Sequence, residues 1–295
     1  MPSQTRALAA TVWMIGSITG FSLVAIAGRA LSAELDTFEI MLWRSIVGVV
    51  TVSGIAMAYG RTAELAPRLL GTHFLRNILH FAGQNLWLYA LTLIPLSQLF
   101  ALEFSYPILV ALTAPLFLAE RLTRTRLMSV FIGFAGILLV VQPFGVGGLS
   151  PGLLAALLCA VGFAGAAIVT KRLTRVTTIT AILFWLTLMQ TGFGLVTAGF
   201  DGEIAVPSLA SLPWVLGIGL GGLGAHLSLT KALSLAPASI VTPIDFLRLP
   251  LITLIGVFFY SEPLNAWVLV GGAIIFSANL FNIKSEIRQP PQSMA

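Results

Sequence analysis

Residues 90–107 read ALTLIPLSQLFALEFSYP, and residues 232–249 read ALSLAPASIVTPIDFLRL. Set 142 positions apart, these stretches pair Ala90-Leu91 with Ala232-Leu233, Pro95 with Pro237, Ser97 with Ser239 and Phe104 with Phe246. Acidic Glu103 falls on acidic Asp245. Moving outward at the same offset, Gly20-Phe21 meets Gly162-Phe163 and Glu120 meets Glu262, and after a short deletion Gly133 meets Gly271. The chain therefore reads as one unit written twice, with copies expected at 1–142 and 150–284 and a tail at 285–295.

The composition says what solvent the unit is built for. Of 295 residues, 57% are hydrophobic and 9% charged, and the mean hydropathy is +0.97. A soluble domain carries roughly 25% charged residues, so these few cannot cover a water-facing surface. Apolar runs between breakers predict ten spans: 8–27, 38–58, 74–93, 97–118 and 127–141, then 152–170, 179–199, 212–234, 239–259 and 264–282. Most have the ~17–25 residues that a hydrocarbon core demands. The first is read as a span rather than a cleaved leader, because it is long enough to cross and has a counterpart in the second copy. Five spans per copy is an odd number, so the copies are expected to cross the bilayer in opposite directions.

Lysine and arginine are distributed accordingly. One side collects Arg6, Arg61, Arg68, Arg76, Arg121, Arg124, Arg126, Lys171, Arg172, Arg175, Lys284 and Arg288, and the other holds Arg29. By the positive-inside rule this places both termini in the cytoplasm. The net charge of +5 is thus a topology signal, and no nucleic-acid partner is expected. Cys159 is the only cysteine, which excludes an intramolecular disulfide or a cysteine metal cluster; no metal or cofactor is expected. The run 217–222 matches GxGxxG but sits inside an apolar stretch without a preceding strand, so it reads as close helix packing.

Tyr106-Pro107, the run Leu118-Ala119-Glu120-Arg121-Leu122, its repeat copy Tyr260-Ser261-Glu262-Pro263-Leu264, and Gly133-Phe134-Ala135-Gly136-Ile137 carry a family resemblance. The chain resembles the drug/metabolite transporter superfamily in its EamA-type branch over nearly its whole length. Its layout is similar to YddG-type exporters of aromatic amino acids. The second copy departs from the pattern, having Arg248-Leu249-Pro250 where the first has an aromatic–proline pair. The resemblance implies an all-α polytopic protein of two inverted five-helix repeats in the inner membrane.

Ionisable groups inside spans are costly, by ~3 kcal/mol or more at the bilayer centre, so each one asks for a role. Asn77, His80, Gln84 and Trp87 recur at helical spacing and form one stripe, expected to line a cavity. Glu103 and Tyr106 lie one turn apart beside Pro107, which is expected to kink the helix. Asp245 and Arg248, three apart, are expected to neutralise each other. Lys231 is the candidate cation for a cargo carboxylate, and Phe21, Phe163 and Trp185 the apolar walls. Arg44, His226, Asp245 and Arg248 are candidates for gating or coupling. Glu120 and Glu262, at matching helix ends, are expected to accept backbone donors of the helix that follows.

The function expected is a secondary transporter that exports small metabolites, amino acids and aromatic ones among them, by alternating access between two inverted halves. Other cargo (drugs, nucleotide sugars, imported metabolites), a membrane-embedded enzyme and a passive channel remain beside it. No HExxH or GxSxG pattern supports the enzyme. Lipid is the second partner, and the assembly is expected to be a monomer or homodimer.

Overall fold

The computed structural model describes residues 3–118, 124–142, 149–237, 241 and 244–288, and all regular structure among them is helical. The α-helices are α1 (Ser3–Leu31), α2 (Thr37–Ala58), α3 (Leu70–Leu93), α4 (Leu96–Glu103), α5 (Tyr106–Leu118) and α6 (Arg124–Val141). They continue as α7 (Pro151–Leu173), α8 (Ile179–Ala198), α9 (Leu212–Leu235), α10 (Arg248–Tyr260) and α11 (Ala266–Arg288). Among the described residues, six stretches are long and apolar enough to cross a membrane: Leu8–Leu31, Thr37–Ala58, Leu96–Phe117, Pro151–Leu173, Ile179–Ala198 and Leu212–Leu235. Shorter apolar helices occupy Leu127–Val141, Arg248–Tyr260 and Ala266–Ala278. Helix α3 matches them in length but buries His73, Arg76, Asn77, His80, Gln84 and Asn85.

Helix starts follow local chemistry. Asp36 and Glu39 form a reciprocal capping box at α2, Ser150 with Pro151 opens α7, and Thr178 caps α8. The expected span 97–118 is not one helix: it breaks at Phe104–Ser105 between α4 and α5. Pro107 has no N–H for the Glu103 carbonyl, and Ser105 N instead donates to Leu102 O at 3.0 Å, a tightened turn. The matching region of the second copy also leaves the α-helix, with a 3₁₀ turn at Asp245–Leu247 ahead of α10 and Pro250. Interrupted backbone at this depth is tolerated where protein surrounds it. Other boundaries shift modestly: α3 starts at Leu70 rather than 74, and α11 runs on to Arg288, past the expected edge at 284. Glu120 and Ser239 lie outside the described residues.

Helix α1 lies along α9, α3 along α7, α2 along α8, α6 along α11, and α4 against α10. Several of these seams depend on glycine. A Cβ on Gly20 would stand 2.6 Å from the Gly221 carbonyl oxygen, and one on Gly162 would stand 2.7 Å from Leu79 O and 3.0 Å from Gly83 Cα. Backbone cannot yield as a flexible side-chain tip does. Gly162→Ala is therefore expected to lower the unfolding free energy by ~1–3 kcal/mol, read as a lower melting temperature in detergent. Gly192→Ala, with nothing within 4 Å of its Cβ, is the control and should hold or gain stability.

The connection between α8 and α9 is latched to the turn between α1 and α2. The Glu34 carboxylate accepts the Ser208 N–H and the Ser208 and Ser211 hydroxyls. Glu39 accepts Ala205 N–H at 2.7 Å, and Trp43 Nε1–H donates to Ala205 O at 2.9 Å. The Ser211 hydroxyl, then the Ser208 backbone, hold Glu34 below its ordinary value of 4.5. A depressed carboxylate contributes its stability above the ordinary value and loses it as pH falls through the folded one. Amide exchange over 205–211, corrected for intrinsic rate, is thus expected to quicken in acid, and Glu34→Gln should remove that pH dependence.

Candidate functional site

The interrupted helices meet at a buried charge cluster. Arg248, at the first turn of α10, donates from Nη2 to Glu103 at 2.6 Å and to Asp245 at 2.9 Å. Trp87 Nε1–H donates to the other Glu103 oxygen at 2.6 Å. The expected Asp245–Arg248 pair is present, and Glu103, 145 positions away in sequence, joins it. Aromatic rings enclose the guanidinium, whose Cζ lies 4.8 Å from the Phe100 ring centre, 5.0 Å from Phe21 and 5.3 Å from Phe104. Stripped of water, a charge costs several kcal/mol to bury, and this arrangement offsets it with paired charges and ring faces. Among the described residues, Asp245 Oδ1 and Arg248 Nε still lack partners. The cluster is tightly paired but not fully satisfied.

Beside it opens a cavity whose empty space, counted out into its open mouth, is about 670 Å³. Helix α1 supplies Phe21; α3 supplies Arg76, His80, Gln84 and Trp87; α7 supplies Phe163 and Thr170; α9 supplies His226 and Thr230. Glu103, Tyr106, Asp245 and Arg248 close one side. Four rings run across it in file. Phe21 meets His226 edge-on at 5.1 Å, His226 meets His80 at 4.7 Å, and His80 meets Phe163 at 5.8 Å between centres. His80 Nδ1 is 2.7 Å from Gln190 Nε2, whereas neither ring nitrogen of His226 has a partner among the described residues. A much smaller pocket lies behind His226, bounded by Arg44, Ser45, Thr187 and Gln190.

The stripe on α3 thus comes to the cavity as His80, Gln84 and Trp87, together with Phe21, Phe163, Glu103 and Tyr106. Its first member, Asn77, turns instead to the Trp185 carbonyl at 2.9 Å. Lys231 does not line the cavity. It follows Thr230 by one residue, and one step along a helix rotates a side chain by ~100°, off the face that carries His226, Leu229, Thr230 and Leu233. Tyr89, its counterpart in the first copy, is 46% exposed. Trp185 packs against Phe184 and His73 rather than on the cavity. Arg44 reaches only the smaller cavity.

One residue was misassigned by the loop count. Arg76 is 3% exposed, lines the cavity, and donates to Thr170 Oγ1 at 3.1 Å and Asn77 Oδ1 at 2.9 Å. It stands four residues before His80, so extending the stripe by one turn would have reached it. Glu262 also differs from expectation. It binds Arg29 and accepts Leu96 N–H at 2.8 Å, across the bundle rather than from the helix that follows it.

A bundle of membrane-length apolar helices around a polar and aromatic cavity is the architecture of a membrane carrier for small molecules. The chain belongs to the EamA-like transporter family, whose model matches residues 8–142 and again 150–283. It is similar to a riboflavin transporter of Brucella anthropi, 30% identical over 285 residues covering 92% of this chain and 98% of that one. It also aligns with an S-adenosylmethionine uptake transporter of Rickettsia bellii, 25% identical with 93% of each chain covered. A pseudopaline exporter of Pseudomonas aeruginosa is 27% identical, with 88% of this chain and 90% of that one covered. A crystal structure aligns with 95% of this chain and 99% of its own at TM-score 0.70 and 18% identity, a likeness of fold. The protein is therefore a multi-pass membrane transporter of a small molecule.

Proposed function

We propose that this is a secondary transporter of ten spans in the inner membrane, built from two inverted halves at 1–142 and 150–284 with both termini cytoplasmic. Its cargo carries a planar ring system. The observation that carries the reading is the file of four rings ending on Phe21 and Phe163, matching positions of the two copies, beside the Arg248 cluster. Flat rings enter such a slot with edge and face contacts worth about 0.5–1.5 kcal/mol each.

Paired contacts support the inverted architecture. Arg29 Nη2 donates to Leu91 O at 3.0 Å and Ile94 O at 3.3 Å. Lys171 Nζ donates to Leu233 O at 2.6 Å and Ala236 O at 2.8 Å. All three positions differ by 142. The glycine seams repeat in the same way, since Gly20 faces Gly221 and Ala225 where Gly162 faces Leu79 and Gly83. Around such an axis, alternating access places the cargo between the halves. His80, Gln84, Trp87, Glu103, Tyr106, Phe21 and Phe163 form its walls, and Asp245, Arg248 and His226 rearrange as the cavity changes side.

Riboflavin is the first cargo to test, because relatives carry that name and its flat tricycle offers edges and faces to the aromatic walls. Aromatic amino acids are the second reading, favoured by a cavity holding both charge signs beside aromatic faces. Counterflow in proteoliposomes preloaded with riboflavin, S-adenosylmethionine, tryptophan or phenylalanine decides between them and reads direction as well. Saturable exchange of a ring-bearing compound is expected. Exchange of none of them, or flux that never saturates, overturns the proposal.

A further inference from the structure

Arg44 and Arg76 are buried in the bundle, at 6% and 3% exposure, and neither meets a carboxylate among the described residues. Arg76 is held by two neutral oxygens, Thr170 Oγ1 and Asn77 Oδ1. Arg44 touches Met41 Sδ at 3.2 Å, and thioether sulfur is a weak acceptor. By contrast, the two carboxylates of the interior, Glu103 and Asp245, are both committed to Arg248. His226, 3% exposed with both nitrogens unpaired, stands between the large cavity that holds Arg76 and the small one that holds Arg44. Buried polar groups ordinarily find partners, and a buried cation without its counter-charge is costlier still. The large cavity thus has Glu103 and Asp245, both bound to Arg248, in one part of its lining and Arg76 without a carboxylate in another.

We propose that Arg76 and His226, on one wall of the large cavity, form a subsite for an oxyanion, a carboxylate or phosphate carried by the cargo, with Arg44 adding positive charge from behind His226. Guanidinium forks present paired N–H donors at the spacing of carboxylate and phosphate oxygens. Arg76 has neutral acceptors at Nε and Nη1, which orient the plane and leave Nη2 for the ligand. The His226 imidazole adds a donor. This assignment rests on the reading that the cavity holds cargo, and it adds an anionic group to the planar ring.

The test is isothermal titration calorimetry on the purified full-length protein in detergent. Neutral and anionic partners are compared: riboflavin with riboflavin 5′-phosphate, 3-phenylpropanol with 3-phenylpropionate, and inorganic phosphate alone. Each anion is expected to bind about tenfold or more tightly than its neutral partner, the scale of a charge-assisted hydrogen bond. In Arg76→Gln that preference should shrink to about threefold or less, with Arg76→Lys keeping more of it. Equal affinity within the pairs in the wild type overturns the subsite, as does a preference that survives in both Arg76→Gln and Arg44→Gln, or a failure of every probe to bind. Should a variant not fold, the wild-type ratio decides by itself. Anions that bind while riboflavin and phenylpropanol do not would leave the oxyanion site standing and remove the ring reading; neutral rings binding as well as their anions would do the reverse.

Discussion

Arg248→Met is expected to abolish counterflow and to lower the unfolding free energy by about 3–5 kcal/mol, the cost of leaving buried charges unpaired. Two carboxylates depend on this guanidinium, Glu103 at 2.6 Å and Asp245 at 2.9 Å, and three aromatic rings are arranged around it. Removing the cation leaves like charges facing each other in an apolar shell. Loss of transport in that variant would therefore not by itself separate function from folding. The triple variant Glu103→Gln, Asp245→Asn, Arg248→Met makes the separation, because it deletes the charges together. It should recover most of the lost melting temperature, since neutral replacement of a buried ion network is often harmless to stability. It should still fail to transport, because the switching charges are gone. Transport at the wild-type rate by the triple variant would reduce the cluster to a packing device. Lys231→Met, on the face turned from the cavity, is the control and should change the rate by about twofold or less.

The sequence carried the polar positions better than their partners. Helical spacing alone put His80, Gln84 and Trp87 on one face, and a proline one turn past Glu103 signalled the break between α4 and α5. The i, i+3 spacing revealed Asp245 with Arg248, since neighbours on one turn must meet. Nothing local revealed Glu103 as the second partner. That contact joins the two copies, and its trace is the 142-residue offset, which sets Glu103 on Asp245 and Tyr106 on Arg248. The two matching segments pack on each other here, a relation legible in the offset but not in either segment alone.

Arg76 and Lys231 were misread for a shared reason. Hydropathy assigns a charge to a loop or a span from the run around it and says nothing of the direction in which the side chain points. Arg76 fell before the apolar run, yet α3 begins at Leu70 and turns it inward. Lys231 fell inside a run, yet its neighbours at 226, 229, 230 and 233 take the cavity face. Angular position, rather than depth, decided both.

Breaking the Arg29 tether is expected to shift the carrier toward a state open on that face by about tenfold, the worth of one charged hydrogen-bond set. Arg29 ties α1 to four places: Glu262 after α10, the Leu91 and Ile94 carbonyls at the end of α3, and the Tyr260 ring at 4.8 Å. Glu262 also holds the first N–H of α4 at 2.8 Å. Under the proposed alternating access, these elements converge at the seam whose opening would admit cargo. Lys171, 142 positions on, binds the end of α9 in the same way, and under inverted symmetry it does so at the opposite face. The two residues should act in opposition. The protein has one native cysteine, buried Cys159, so a Cys159→Ala background with Thr230→Cys in the cavity wall gives a clean reporter. Arg29→Ala should speed labelling by a membrane-impermeant maleimide from one face of oriented vesicles, and Lys171→Ala from the other. Each should slow full exchange while speeding access, because a carrier that favours one state returns slowly from it. Faster labelling from the same face in both variants would contradict the inverted arrangement, and unchanged labelling in either would show that its tether holds the fold without controlling the opening.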